Sequence, residues 1–152
     1  MIYLLCLVIG ITSGLRAATP LAAISIGAWL GWIDLSATWA AFMGNIITVV
    51  ILVLLAGLEL VGDQLPKTPS RKAPQQFGAR VVTGAIAGLL LGLPSGDWIV
   101  GLILGAIGAV AGTLGGYEAR RWLAGQFKRD LPAALIEDAV AIIVALAVVY
   151  AA

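Results

Sequence analysis

The sequence predicts an all-α integral membrane protein with about five transmembrane helices. Hydrophobic residues make up 61% of the 152 residues and charged residues 11%, whereas an ordinary soluble domain has roughly 25% charged residues. The mean hydropathy is +1.06, and apolar stretches near the length of about 20 residues that a membrane requires occupy nearly the whole chain. We therefore expect residues 1–152 to form a single transmembrane domain without a soluble one.

Five apolar stretches, separated by polar or turn-forming residues, are expected to form the helices. They cover, approximately, residues 2–33, 39–62, 78–93, 98–117 and 131–152. A single helix over the first stretch would be about 48 Å long, against a hydrocarbon core of about 30 Å. Gly14 loosens the chain and Pro20 lacks an N–H, so this stretch is predicted to break between them into a half-helix and a spanning helix.

The distribution of basic residues predicts the orientation. Seven of the nine lie in two connections, at Lys67, Arg71, Lys72, Arg120, Arg121, Lys128 and Arg129. The opposite connections carry Asp34 and Asp97, and tryptophans flank both of these turns. The positive-inside rule and the aromatic belt then place the basic connections in the cytoplasm, with the N-terminus inside and the C-terminus outside.

Two segments share the pattern Gly-x-Arg-x-x-Thr, starting at Gly14 and at Gly78. Each opens an apolar segment that leads to an Asp-bearing turn. Each following helix ends with Gly-x-Glu, at Glu59 and at Glu118. This shared order predicts two parallel two-helix repeats of the kind found in transporters. The repeats and the last helix cover, approximately, residues 14–63, 78–121 and 131–152.

Glycines recur at intervals of four in the third and fourth helices. They form three runs, which are Gly84, Gly88 and Gly92, then Gly101 and Gly105, and then Gly108, Gly112 and Gly116. This spacing puts glycines on one face, where two backbones can approach closely, and predicts a glycine zipper between these helices. We also expect a homodimer, because a five-helix chain this small has little surface to enclose a pathway alone.

Seven ionisable residues lie in or beside the apolar stretches, where charges are costly and commonly mark function. They are Arg16, Glu59, Asp63, Arg80, Glu118, Glu137 and Asp138. In the expected topology they share one depth near the cytoplasmic side, and two arginines cannot neutralise five carboxylates. We expect them to bind an ion or small solute together with Thr19 and Thr83 of the repeated pattern. The alternative is that the charged pairs only fix how the helices pack.

The connection after the second helix is rich in basic and hydroxyl residues. Lys67, Ser70 and Arg71 are candidates for binding lipid phosphate or an anionic solute. A solvated loop that only obeys the positive-inside rule is the alternative.

Several of these motifs resemble an uncharacterised family of small bacterial membrane proteins, called domain of unknown function four-one-two-six. The motifs are Gly14-Leu-Arg16, Glu59-Leu-Val-Gly-Asp63, Leu-Pro-Lys-Thr-Pro-Ser-Arg71, Gly116-Tyr-Glu118 and Glu137-Asp138. The resemblance covers almost the whole chain. It implies a location in the bacterial inner membrane but supplies no activity.

Composition and motifs together narrow the function classes. A net charge of +1 gives no basis for binding nucleic acid. Without histidine and with Cys6 as the one cysteine, the chain lacks the usual catalytic triads and soft-metal sites. We therefore expect no enzyme, cofactor or metal.

A small secondary transporter or channel, proton- or cation-coupled, is the favoured class because of the repeats and the charges beside a helix break. A noncatalytic scaffold or lipid-organising protein is the alternative. The expected partners are membrane lipid and a small ion or solute, whose identity the sequence leaves open.

Overall fold

The computed structural model describes residues 1–65 and 73–152. These residues form helices and connections without any strand, so the predicted all-α class is confirmed. The elements are α1 (Ile2–Leu15), α2 (Thr19–Leu30), a 3-10 helix (Trp39–Gly44), α3 (Ile46–Gly62), α4 (Pro74–Gly92), α5 (Trp98–Phe127) and α6 (Asp130–Ala151).

The first apolar stretch is interrupted where its length and Pro20 predicted. Helix α1 ends at Leu15, and Arg16 has an extended backbone with φ −143° and ψ 114°. Helix α2 then starts at Thr19, with Pro20 in its first turn. The N–H groups of a first turn have no partner within the helix, so proline is tolerated there. Gly31, at φ +76°, ends α2 in the left-handed conformation that glycine favours.

The second predicted stretch is also two elements, joined at Asn45. The Asn45 side chain accepts a hydrogen bond from the N–H of Ile47 at 2.9 Å, which caps the start of α3. Within α3 only Val49 is buried. The other residues of this apolar helix are half-buried or exposed.

Glycines bring α4 and α5 together in antiparallel order. A Cβ on Gly88 would overlap the carbonyl oxygen of Gly101, and a Cβ on Gly101 would overlap that of Gly88. Gly84 and Gly105 face each other in the same way. Only the missing side chains permit this approach, which adds dispersion and Cα–H···O contacts between the two backbones.

Two other glycines of α5 contact α1 instead. A Cβ on Gly108 would overlap the carbonyl oxygen of Leu7, and a Cβ on Gly112 would overlap that of Ile11. The prediction that these two glycines face α4 is therefore wrong, because α5 lies between α4 and α1 and uses a separate row of glycines for each. Residue numbers rise together along this contact, so α1 and α5 run in the same direction.

Helix α6 returns along α5, because only residues 128 and 129 join them and Arg120 lies 3.6 Å from Glu137. Helix α2 runs in the same direction as α6. Its last turns lie beside the end of α6, where the Trp32 and Tyr150 rings are 5.3 Å apart, centroid to centroid.

Helices α1 and α2 therefore form a hairpin whose tip is the break at residues 16–18. The first residues of α1 lie at the same end of the bundle as Trp98 and the end of α6. The first stretch therefore starts and ends at the same end of the bundle and does not cross it, unlike the prediction. The N-terminus and the C-terminus also lie at one end of the bundle, so the prediction that they lie on opposite sides is wrong. The sequence showed a break but contained no local signal that the chain reverses there.

Among residues 1–65 and 73–152, two helices are long and apolar enough to cross a membrane, namely α5 and α6. The apolar helices α1, α2 and α3 are shorter, with 10–17 residues each. Large hydrophobic side chains are exposed on all six helices. These features are consistent with a membrane location.

Candidate functional site at the helix break

Five of the seven predicted ionisable residues meet at the tip of the α1–α2 hairpin. We name this group the charge cluster: Arg16, Glu59, Asp63, Arg80 and Asp138. Its members come from the hairpin tip, the last turn of α3, α4 and α6. The structure therefore brings together five residues that lie far apart in the chain.

Arg16 is fully buried and lies between two carboxylates. Its Nε donates to Asp138 Oδ1 at 2.6 Å, and its Nη1 donates to Asp63 Oδ2. The second oxygen of Asp138 accepts a hydrogen bond from Gln64 Nε2 at 3.3 Å. Arg16 therefore ties the hairpin tip to α6 and to the end of α3 through charge-assisted hydrogen bonds.

Arg80 is also buried and holds the C-terminal end of α1. Its Nη1 donates to the carbonyl oxygens of Gly14 at 2.9 Å and Leu15 at 2.6 Å. Carbonyls in the last turn of a helix lack helical partners and carry partial negative charge. Arg80 Nη2 is also 3.4 Å from Asp63 Oδ2, so Arg80 joins α1 to α3.

Glu59 binds the N-terminal end of α2. Its Oε1 accepts a hydrogen bond from the N–H of Ala17 at 2.7 Å, and its Oε2 accepts one from the N–H of Ala18 at 2.8 Å. Arg80 Nη2 lies 4.0 Å from Oε1. A helix N-terminus with its free N–H groups is a common binding place for anions. At the start of α2, the chain itself supplies the anion.

Thr19 follows directly and is 5% exposed. Its hydroxyl has no hydrogen-bond partner among the described residues. Thr19 lines a cavity of about 250 Å³ between α2, α3 and α6. The rest of the lining is apolar and includes Ala23, Ile26, Val53, Ile142 and Leu146.

Glu137 is buried but belongs to a neighbouring group. Its Oε2 lies 3.6 Å from Arg120 Nη1, and Arg120 also donates to both oxygens of Asp130, at 2.9 Å and 2.6 Å. Glu137 precedes Asp138, which is a member of the charge cluster. Glu137 therefore lies beside the charge cluster and is paired with Arg120.

Glu118 lies outside the site, and its predicted membership is wrong. Its side chain is 62% exposed and lies 3.9 Å from Arg121 Nη1 on the same helix. Gly116, two residues earlier, is on the buried face of α5. At 100° per residue, two residues rotate the side chain by about 200°, to the opposite face.

Sequence reasoning missed Arg120, which it assigned to a basic connection because α5 was predicted to end near Tyr117. The helix continues to Phe127. The pairing becomes apparent only once both helix ends are known, since Arg120 lies seven residues before the end of α5 and Glu137 seven residues after the start of α6. Equal distances from a short connection are typical of partners across an antiparallel helix pair.

Thr83 contributes to helix packing instead of the charge cluster. Its hydroxyl lies 2.7 Å from Ser13 Oγ, and Ser13 Oγ is 3.0 Å from the carbonyl oxygen of Arg80. The two threonines of the repeated pattern therefore have different surroundings, because α2 starts at Thr19 whereas α4 is already in its third turn at Thr83.

Two further predictions about the site concern the basic loop and metal binding. Lys67, Ser70 and Arg71, the predicted anion or lipid-phosphate loop, lie outside the described residues and stay a prediction. Within the described ranges, no group of three or more Cys, Asp or Glu side chains is arranged to hold a metal ion.

A second cavity, of about 440 Å³, lies at the opposite end of α2. Its acidic residue Asp34 accepts hydrogen bonds from the hydroxyl and the N–H of Ser36, at 2.5 Å and 3.0 Å. The bond from the Ser36 hydroxyl, and to a smaller extent the bond from its N–H, hold the pKa of the Asp34 carboxyl below its usual value. Both bonds reach the same oxygen, Oδ1, from within a local turn, and no buried charge adjoins this cavity among its lining residues, so it is a weaker candidate site.

No family model, curated protein or solved structure matches the chain. Among the described residues, the charge cluster and the cavity beside Thr19 are the features that indicate a function.

Proposed function

We propose that the chain is a small secondary transporter or channel for an ion or small solute, coupled to protons or cations, and that the charge cluster is its site. The observation that carries this proposal is the meeting of a broken helix with buried charges. At residues 16–18 the C-terminal end of α1 and the N-terminal end of α2 both point at charged side chains. Secondary transporters commonly bind substrates and coupling ions at such discontinuous helices.

The proposed setting is a bacterial inner membrane that α3, α4, α5 and α6 cross. The α1–α2 hairpin enters from the end that carries Trp98. Exposed side chains on α3, such as Ile47 at 65% and Leu58 at 68%, support contact with lipid. With the basic connections in the cytoplasm, both termini lie outside and the charge cluster lies near the cytoplasmic side.

Helix α3 is the proposed moving element. It packs mainly on α2 and the 3-10 helix, and only Val49 of α3 is buried. Its inner end is held by Glu59 and Asp63, which accept hydrogen bonds from the hairpin tip and from the arginines. Protonating these carboxylates would weaken charge-assisted bonds and release this end of the helix.

The repeats provide a second element of the proposed mechanism. The pairs α2–α3 and α4–α5 are both antiparallel and run in the same direction, as parallel repeats over 14–63 and 78–121 require. The glycine zipper makes α4–α5 the rigid copy. The other copy pairs the buried helix α2 with α3, which has a single buried residue, and would rock against the first copy during transport.

Flux measurements in reconstituted vesicles test the proposal. A pH gradient is imposed, and proton uptake and the entry of small ions and solutes are followed for the wild type, Glu59→Gln and Glu118→Gln. We expect Glu59→Gln to lose coupled flux and Glu118→Gln to retain it, since only Glu59 belongs to the charge cluster. Equal flux in the two variants would contradict the role of Glu59, and an absence of wild-type flux above that of protein-free vesicles would contradict transport.

One observation favours the alternative of a noncatalytic membrane scaffold. The Arg16 guanidinium is fully enclosed and bonded on two sides to carboxylates, as expected for a network that fixes helix packing. A scaffold predicts that Glu59→Gln lowers the melting temperature while the wild type shows no flux. In either case we propose a homodimer, which a detergent-corrected mass measurement tests.

A further inference from the structure

We infer that the place held by the Glu59 carboxylate is a binding site for a small monocarboxylate with an apolar body, and that Glu59 occupies it in the ligand's absence. The inference rests on the proposed transport function and names its substrate class. It combines three features of neighbouring residues: paired N–H donors, an unpartnered hydroxyl and an apolar cavity.

Charge complementarity argues for a carboxylate. The N–H groups of Ala17 and Ala18 each donate to a different oxygen of Glu59, at 2.7 Å and 2.8 Å, so their spacing suits the two oxygens of one carboxylate. The start of α2 adds its partial positive charge, and the guanidinium of buried Arg80 lies 4.0 Å away. A ligand carboxylate at this position would meet the same donors.

The adjoining cavity argues for an apolar body. It is bordered by Thr19, the residue after the two N–H donors, and on α3 by Leu60, the residue after Glu59, and by Gly57. Its volume of about 250 Å³ exceeds that of an apolar cavity of about 150 Å³ that accepts benzene. A phenyl ring or a short alkyl chain therefore fits beside the carboxylate position.

The Thr19 hydroxyl is the third feature. It is buried, and no residue in the described part of the chain is its hydrogen-bond partner, which is unfavourable for a hydroxyl. Thr19 borders both the N–H pair and the cavity, so a ligand carboxylate that reaches the N–H pair from the cavity side would bring an acceptor close to this donor. Glu59 reaches the N–H pair from α3 and leaves the hydroxyl without a bond.

The exchange balances charge. One proton converts the Glu59 carboxylate to a neutral carboxyl group, which binds the N–H pair less strongly than the anion does. The ligand's carboxylate then replaces it, and the negative charge at the site is restored. One proton and one monocarboxylate enter together, and no net charge moves with them.

Chemical rescue tests the inference through binding instead of flux. Glu59→Ala empties the site, and its melting temperature is measured with benzoate, with formate and with the neutral analogue benzamide. At ten times its Kd, benzoate is expected to raise the melting temperature of Glu59→Ala by about 3 to 5 °C. Benzamide is expected to have no such effect, and neither is benzoate on Glu118→Ala, which loses an exposed carboxylate.

The cavity is tested separately with Gly57→Leu. A Cβ on Gly57 meets open space, so leucine there fills the cavity without a backbone clash. In Glu59→Ala/Gly57→Leu we expect rescue by benzoate to be lost and rescue by formate, which has no apolar body, to be kept. The matched control is Glu59→Ala/Gly115→Leu, because Gly115 also has open space but lies on α5, and rescue by both anions should persist.

Two results would overturn the inference. One is equal stabilisation by benzoate and benzamide, and the other is an absence of rescue by either anion. If Glu59→Ala does not fold without ligand, Glu59→Gln, which keeps the side-chain volume, is measured with the same compounds and judged in the same way. A wild type without flux would contradict transport while rescue still supports the anion site, so the two failures are distinguishable.

Discussion

Replacing Gly88 by alanine tests the closest helix contact of the fold, and the sign of the effect is unusual for this substitution. Alanine in place of glycine inside an exposed helix normally stabilises, by about 0.5 to 1 kcal/mol. At Gly88 the added Cβ would overlap the carbonyl oxygen of Gly101 and would lie 2.9 Å from the Cα of Gly105. These are backbone atoms that cannot rotate away, so α4 and α5 must separate.

The size of the effect follows from that separation. Ordinary contacts of a Cβ begin near 3.4 Å, and opening a gap of about 0.5 to 1 Å forfeits a quarter to a half of the dispersion energy of the atoms involved. Overpacked sites in protein interiors typically cost about 1 to 3 kcal/mol. For a chain of this length we expect the melting temperature to fall by about 2 to 12 °C.

Cys6 provides a local readout of the same contact. Its thiol lies 3.5 Å from the carbonyl oxygen of Gly88 and is 1% exposed, and it is the one cysteine of the chain. In Gly88→Ala we expect faster labelling by a maleimide dye together with the lower melting temperature. The control Gly115→Ala, where a Cβ meets open space, should label at the wild-type rate and melt slightly higher. If both variants shift in the same direction, the proposed close approach of α4 and α5 does not exist.

Three further predictions concern single side chains. Arg16→Met should cost about 3 to 5 kcal/mol because it leaves the carboxylate of Asp138 buried without a guanidinium and leaves half-buried Asp63 with Arg80 alone among the described residues. Arg121→Met, which removes an exposed pair partner, should change stability by less than about 0.5 kcal/mol. Thermal unfolding of both variants checks this, and equal losses would contradict it. Ser13→Ala should cost about 1 kcal/mol through its hydrogen bonds at the α1–α4 contact, and chemical denaturation is the measurement, with an unchanged midpoint as the contrary result. Asn45→Ala should cost about 1 kcal/mol by removing the cap of α3, and Asn45→Asp, which keeps a capping oxygen, should restore most of the loss.

Much of the local structure follows from the sequence. The apolar stretches predicted an all-α chain, and Gly14 and Pro20 located the break that the structure has at residues 16–18. The spacing of Gly84 and Gly88 predicted the face on which α4 meets α5. These features depend on interactions within a few residues of each other, namely backbone hydrogen bonds, the missing N–H of proline and the rotation per residue of a helix.

The partners of the buried charges were decided only by the tertiary structure. The sequence grouped Glu118 with Glu59 because both end a repeat, yet Glu59 binds the start of α2 while Glu118 is exposed beside Arg121. Periodicity determines which face of a helix a side chain occupies. It does not determine which other helix that face meets or in which direction that helix runs. The reversal of α2 brings Ala17, Ala18 and Thr19 to Glu59, and this reversal depends on packing against α3 and α6, far away in the chain.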